Sequence, residues 1–392
     1  MLRKSNFFKT YPLKSKKFNQ NLNKTKKFLL EIKSDIKNYK IPFLQSFEKD
    51  YILDFSAKTI KNFSKYQNII IVGMGGSVLG TKCIYSFLEN RIKKQVFFFD
   101  NLDENLYLKF INIKKIKNSC FIIVSKSGET IETITNLSII FSKFLLKSKL
   151  VFITEAKDST MLNIAKKLKA EIIEHKNFIG GRYSVLSETG MFPAALMGLN
   201  IKKFKNLNKL VNNKNFTTSL IQNVASIYTI NSKGLKNSVI LNYDSDLKDL
   251  SFWYQQLVSE SLGKKGKGIT TIISEVPKDH HSTMQLYLDG PRDKFFTFFN
   301  SNNKKNSFKF LKNEKLRSIV NAQSKAVANV FKSKQIPFRQ ISFNKKDEEE
   351  LGTIFTFFVL ETLLLGKLMK VNPFNQPAVE QIKAETQKIL TS

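Results

Sequence analysis

The strongest constraint on this chain is an alternation of short strand-like runs with longer amphipathic segments. Runs rich in β-branched and aromatic residues stand at Asn68–Val72, Gln95–Phe99, Cys120–Val124, Leu150–Thr154 and Glu171–Ile173, with helical patterns between them. Strands that alternate with helices in this way predict an α/β fold, a parallel sheet covered by helices on both faces. A second set follows at Ser238–Tyr243, Gly268–Ser274, Lys294–Phe299 and Phe338–Phe343, with helical patterns over Leu247–Leu262, Lys315–Lys334 and Asp347–Met369. The expected organisation is two αβα units, residues 61–215 and 216–372, joined by a helical connection through the Lys/Asn-rich stretch around 200–217. Residues 1–60 precede them as a helical segment, in which Phe18, Leu22, Phe28, Leu29, Ile32 and Ile36 recur near helical spacing. Residues 373–392 follow, with a break at Pro373 and Pro377 and a final helix over Ala378–Ile389.

Composition narrows the function. With 392 residues, 42% hydrophobic and 24% charged, the chain is globular and long enough for a sizeable core. Its net charge of +32 invites a nucleic-acid reading. The lysines are scattered along the whole chain, however, and no RNP-like, helix-turn-helix or zinc-finger spacing occurs. The charge therefore reads as surface composition that helps steer dianionic substrates, and no nucleic-acid partner is expected. Two cysteines, Cys83 and Cys120, cannot build a disulfide framework and read as reduced, packed thiols of a cytoplasmic protein. The apolar run Ile354–Leu365 is short and interrupted by Glu361, which predicts a buried helix and no membrane span. The N-terminus lacks the apolar core of a signal peptide, and Arg3 alone among many lysines argues against a transit peptide.

Two turns carry chemistry. Ile71-Val72-Gly73-Met74-Gly75-Gly76-Ser77 leads a strand through glycines into a helix, an arrangement that lets backbone N–H groups approach an anion. A dinucleotide fingerprint would need a third glycine at 78, where Val78 stands, and a phosphate-binding loop of the Walker type would need Gly-Lys-Thr, where Gly80-Thr81-Lys82 stands. Without a ligand the segment is simply a tight turn. After the third strand comes Ser125-Lys126-Ser127-Gly128-Glu129-Thr130, then Ile131-Glu132-Thr133 and a helix. Hydroxyls, one cation, a glycine and a helix start within six residues are what a phosphate monoester requires, although Ser127 and Thr130 would also serve as helix caps.

From this point the chain resembles the phosphoglucose isomerases. Ser125–Thr133 resembles their sugar-isomerase signature, and Gly180-Gly181-Arg182-Tyr183-Ser184 matches another. Glu260-Ser261 before Gly263-Lys264 resembles the catalytic-glutamate motif, and His281-Ser282 before Gln285-Leu286 the histidine motif. Phe374-Asn375-Gln376-Pro377-Ala378-Val379-Glu380-Gln381-Ile382-Lys383 resembles the C-terminal signature. These motifs stand in the family's order across most of the chain.

The resemblance implies reversible isomerisation of glucose 6-phosphate to fructose 6-phosphate through ring opening and an enediol, without cofactor or metal. Glu260 would be the base that moves the proton, a role that suits a partly desolvated carboxylate. His281 would open the ring, and His280 is the weaker candidate because it does not directly precede a small residue. His175 belongs to no motif. Lys383 would assist at the ring oxygen and Arg182 would stabilise the enediolate. Ser125, Ser127 and Thr130 would hold the phosphate, supported by Gly76, Ser77 and Lys126. Gln256 would contact sugar hydroxyls and Glu132 would orient His281. The family's pattern further implies a homodimer in which His281 completes the neighbouring subunit's site. Two departures, Leu262 in the glutamate motif and Asp279-His280-His281 in the histidine motif, remove no chemical group. A non-catalytic sugar-phosphate sensor would lack the base, a dehydrogenase would need the absent glycine, and an isomerase of another sugar phosphate would share the same cradle.

Overall fold

The computed structural model describes residues 8, 15–111, 118–143, 150–302, 309–310 and 314–391, so Arg3 of the basic N-terminus lies outside the described residues. In chain order, α1 (Lys16–Lys37) and α2 (Ala57–Ser64) lead into β1 (Asn68–Gly73), α3 (Leu79–Leu88), β2 (Gln95–Phe99) and α4 (Glu104–Ile111). Next come β3 (Ser119–Val124), α5 (Ile131–Lys143), β4 (Leu150–Thr154), α6 (Thr160–Lys167), β5 (Glu171–Glu174) and α7 (Glu188–Leu196). The Lys/Asn-rich connection is helical, as α8 (Leu207–Val211) and α9 (Lys214–Asn231). The second half runs β6 (Asn237–Asn242), α10 (Lys248–Leu262), β7 (Thr270–Glu275), α11 (Met284–Asp289) and β8 (Lys294–Ser301). A two-residue ribbon, β9 (Lys309–Phe310) with β10 (Glu314–Lys315), precedes α12 (Leu316–Ser333), β11 (Phe338–Phe343), α13 (Glu348–Met369) and α14 (Pro377–Thr391).

Both principal sheets are parallel. The first has the order β2-β1-β3-β4-β5, with Ile71 opposite Phe98 on one side and Ile122 on the other. The second has the order β11-β8-β6-β7, with Val239 opposite Ile272 and Phe296. The period of two along each strand decides which core a side chain joins. Ile69, Ile71, Ile122, Val124, Ile153 and, from the second sheet, Ile240, Phe299 and Ile341 belong to one continuous buried cluster. Ile70, Val72, Phe121 and Phe152 pack on the opposite face of the first sheet, and Val239, Phe296, Phe298 and Phe338 on that of the second.

Helix starts follow from side-chain caps, which satisfy N–H groups the helix itself leaves open. The Ser15 Oγ accepts from the Phe18 N–H, the Ser159 Oγ from Leu162, the Asn213 Oδ1 from Phe216 and the Asp347 Oδ1 from Glu350. Pro377 stands at the first position of α14, where its missing N–H does no harm. One strand starts later than its composition predicts. Gly268 has φ +141°, and a Cβ there would sit 3.0 Å from the Gly263 Cα, so it closes a turn against Gly263 and β7 begins at Thr270.

The apolar run around Ile354–Leu365 lies within α13, whose 22 residues have the length and hydropathy to cross a membrane. It is instead packed inside the protein, and its one mid-helix acid is paired. The Arg339 Nη1 donates to the Glu361 Oε2 at 2.6 Å, both side chains fully buried, and the Tyr254 hydroxyl of α10 donates to the other carboxylate oxygen at 2.7 Å. Breaking one half of such a pair costs about 3–5 kcal/mol, because an uncompensated charge is left in the core.

Candidate active site

In a parallel sheet of this first order the connections diverge between β1 and β3, and the loops leaving the carboxyl ends of those two strands border a crevice. The glycine turn after β1 and the hydroxyl turn after β3 are those two loops. A third glycine turn, Gly180-Gly181, crosses the first at van der Waals contact. A Cβ on Gly76 would lie 2.2 Å from the Gly181 carbonyl carbon and 2.7 Å from the Arg182 N, so only glycine permits the crossing. The Ser184 Oγ ties the two turns by donating to the Gly76 carbonyl at 3.2 Å. Gly75, at φ +54°, lies beneath α10, where an added Cβ would meet the Gln256 Nε2 at 2.9 Å. Sequence-distant backbones thus bring Arg182 against the helix that carries Gln256 and Glu260.

Arg182 is 2% exposed and all five of its N–H donors are engaged. The Nε donates to the Ser261 Oγ at 2.9 Å, and Nη1 to the Glu260 Oε2 at 3.0 Å and the Gln376 Oε1 at 2.8 Å. The Nη2 donates to the carbonyls of Pro373 at 2.6 Å and Asn375 at 3.3 Å. One guanidinium therefore joins α10 to the segment that enters α14. The Gln256 Nε2, one turn before Glu260 on α10, donates to the other carboxylate oxygen at 2.9 Å. The Glu260 carboxylate is thereby fixed between an arginine and an amide, with its side chain still 29% exposed.

The hydroxyl turn is equally organised. Ser125, 2% exposed, shares a 2.9 Å hydrogen bond with the Thr130 hydroxyl and accepts from the Gly128 N–H at 3.2 Å. Gly128 has φ +69° and lies so close to Ser159 that a Cβ would fall 2.2 Å from its Oγ. Ser127, exposed, accepts from the Glu129 N–H at 3.2 Å, which leaves its own proton to give. The Lys126 Nζ donates to the Asn177 carbonyl at 2.7 Å, which links this turn to the loop leading into Gly180. A hollow of about 220 Å³ borders Lys126, Gly180, Tyr183 and Phe374 together.

Three expected participants stand apart within one chain. His281 is exposed on the 3-10 turn Lys278–His281 that follows β7. Lys383 is exposed on α14 and pairs with Glu380 of the same helix at 2.9 Å. Glu132, in the first turn of α5, makes no hydrogen bond with His281 among the described residues. His280 is turned inward, its Nε2 3.1 Å from the Tyr243 hydroxyl, and burial, followed by the His281 charge, pushes its pKa down. His175 is buried at the end of β5, where burial pushes it down to about 4.

Four further residues belong to the site. Tyr183 donates to the Pro373 carbonyl at 2.8 Å and shares a 2.9 Å bond with Ser261, so both brace Arg182. Gln376 accepts from Arg182, and the Lys264 Nζ donates to the carbonyls of Glu260 and Ser261 at 2.5 and 2.8 Å, capping α10 behind the carboxylate. Burial and then the Arg182 charge push Lys264 down to about 8, against the pull of Glu260. All four lie inside the motifs quoted above. Their roles were hidden because a motif shows which residues recur and not which of them touch.

The family model for phosphoglucose isomerase matches residues 44–300. The glucose-6-phosphate isomerase of Methanocaldococcus jannaschii is 31% identical over 352 residues, 86% of this chain and 87% of that one. That of Campylobacter jejuni is 30% identical over 364 residues, covering 87% and 89%. Among solved structures, a hypothetical protein from Thermus thermophilus superposes with a TM-score of 0.85 over 100% of both chains at 21% identity. A glucose-6-phosphate isomerase from Chlamydia trachomatis gives 0.73 over 86% of this chain and 72% of that one at 19% identity, a likeness of fold. Sequence matches over most of the chain, together with an arginine-held carboxylate between two glycine turns, lead to one conclusion: this chain belongs to the phosphoglucose isomerase family.

Proposed function

We propose that the chain interconverts glucose 6-phosphate and fructose 6-phosphate in the cytoplasm as a homodimer, with residues 61–215 and 216–372 as its two αβα units. The observation that carries this reading is the Glu260 carboxylate, held 3.0 Å from Arg182 and 2.9 Å from Gln256 at the divergence of β1 and β3. The phosphate sits on the hydroxyls of Ser125, Ser127 and Thr130 and the first N–H groups of α5, with Lys126, Gly76 and Ser77 beside it. Once the ring is open, Glu260 takes the proton from C2 and returns it to C1, while Arg182 faces the oxygens on which charge grows. Because every Arg182 donor is already engaged, a substrate oxygen takes the place of one acceptor, and the neutral Gln376 amide is the cheapest to displace.

Ring opening falls to His281 of the partner subunit, held by Glu132, and to Lys383, which the Arg182-anchored segment 373–376 tethers to the site. The exposure of His281 in a single chain supports a role across a subunit boundary. Buried, unbridged Cys83 and Cys120 suit a reducing compartment.

Incubation with glucose 6-phosphate in deuterated water tests substrate and chemistry together: fructose 6-phosphate labelled at C1 is expected, and no label or no ketose would end the proposal. Mixing Glu260→Gln with His281→Ala subunits tests sharing. Partial recovery of activity is expected, and none would mean that each chain uses its own histidine.

A further inference from the structure

The 3-10 turn Lys278–His281 sends three successive side chains in three directions, because each residue of such a turn is rotated about 120° from the last. Asp279 turns back on the sheet. Its Oδ2 accepts from the Glu275 N–H, at the end of β7, at 2.7 Å, and its Oδ1 from the Ser282 hydroxyl at 3.4 Å. His280 turns onto the neighbouring strand end. Its Nε2 shares a 3.1 Å hydrogen bond with the hydroxyl of Tyr243, the residue after β6, and the two rings meet edge to face with centroids 5.7 Å apart. His281 is left exposed. Tyr243 is a rigid base for this contact, 4% exposed and stacked on Phe298 of β8 with ring planes 14° apart. Burial, followed by the His281 charge, pushes the His280 pKa down against the pull of Asp279, which favours a neutral ring here.

The backbone closes the turn without deciding its tilt against the sheet. The His280 N–H donates to the Pro277 carbonyl at 3.0 Å, and the N–H groups of Ser282 and Thr283 donate to the Asp279 carbonyl at 3.3 and 3.0 Å. These partners lie within the turn and move with it. Among residues 278–282, the side chains hydrogen-bonded to the strand ends are those of Asp279 and His280. One such tie leaves the turn free to pivot, and two fix it. We propose that His280 is a positioning residue, whose anchor on Tyr243 sets the direction in which the turn presents His281 to the partner subunit's site. This rests on the reading of His281 as the group that opens the sugar ring. An exposed histidine has no packing within its own chain to hold it, and a reactive group misplaced by about 1 Å can lose about 100-fold in rate.

The test measures kcat and KM for glucose 6-phosphate in full-length His280→Ala, His280→Gln, Tyr243→Phe and the double variant His280→Ala with Tyr243→Phe. His281→Ala serves as reference, and thermal unfolding is followed in parallel. The reference should lose about 100-fold or more in kcat. His280→Ala should lower kcat about ten-fold with KM within about two-fold of the parent, because the phosphate turn is untouched. His280→Gln, whose amide reaches the same hydroxyl, should restore kcat to near that of the parent. Tyr243→Phe should lower kcat as well, and the double variant should lose no more than the worse single one, since both changes remove one contact. Parental kcat in His280→Ala beside an inactive His281→Ala, or additive losses in the double variant, would overturn the positioning role and leave the isomerase reading intact. A His280→Gln variant as inactive as the reference would also overturn it, because the imidazole at 280 would then act on substrate itself. Full activity in His281→Ala would instead strike the ring-opening assignment, and the proposal with it.

Discussion

Replacing Glu260 by glutamine separates the chemistry from the architecture around it. The amide keeps an oxygen where the Arg182 Nη1 donates at 3.0 Å, so the arginine retains its partner. On the other side, the Gln256 Nε2 now donates to the carboxylate, and the Gln256 Oε1 is buried with no partner among the described residues. A half-turn of the Gln256 amide lets that oxygen accept from the new NH₂ group, but it carries the Gln256 NH₂ into the buried position where no partner stands among the described residues. The charge-assisted strength of two hydrogen bonds is lost and one buried amide group is left unpaired, so the expected loss of stability is about 1–3 kcal/mol. Proton transfer, by contrast, loses its base. Positioned general bases contribute about 10²–10⁴-fold, equivalent to about 3–5.5 kcal/mol of barrier, and kcat should fall by that factor. The assay couples fructose 6-phosphate conversion to a glucose-6-phosphate dehydrogenase, with thermal unfolding followed in parallel. A variant that keeps its Tm and turns over within ten-fold of the parent would refute the assignment of Glu260 as the base.

Gly76→Ala should abolish activity or strongly destabilise the chain, since the methyl group falls 2.2 Å from the Gly181 backbone, whereas Gly180→Ala meets nothing closer than 3.4 Å and should fold; thermal melts of the pair decide. Arg339→Met leaves Glu361 charged, buried and short of its partner, so denaturant unfolding should show a loss of about 3–5 kcal/mol, while Arg339→Met combined with Glu361→Leu should recover much of it. His175 supplies an acid-side prediction. Its folded pKa of about 4 lies below its unfolded value of about 6.5, so folding excludes a proton: its neutral form is fully accommodated above pH 6.5, and stability is lost as pH falls toward 4, by up to about 3 kcal/mol. Unfolding free energies of His175→Gln between pH 7 and 4 should therefore fall less steeply than those of the parent.

The fold was largely legible because hydrophobic period and turn chemistry are local. β1, β3 and β4 are continuous apolar runs, and α10, α12 and α13 begin within one residue of their expected starts. Gly268 read as part of a strand because composition does not carry φ; its conformation depends on Gly263, met only after the chain turns back. The site was legible as a set of residues and not as an arrangement. Arg182 stood out beside two glycines, yet nothing local states that its five donors reach Ser261, Glu260, Pro373, Asn375 and Gln376. Tyr183 and Lys264 were likewise named in motifs without a role.

Sequence alone therefore determined the two parallel sheets and the glycine and hydroxyl turns at strand ends, since each depends on neighbours a few positions away. Glu260 and Arg182, by contrast, were named through the resemblance of their motifs to a family. Tertiary structure alone decided that the turns at 76 and 181 cross, that one guanidinium binds α10 to the C-terminal segment, and that His281 and Lys383 face outward in a single chain. The physical reason is that hydrogen bonds and steric contacts act over about 3 Å in space, whereas the residues making them here stand as far apart as Arg182 and Gln376, 194 positions along the chain.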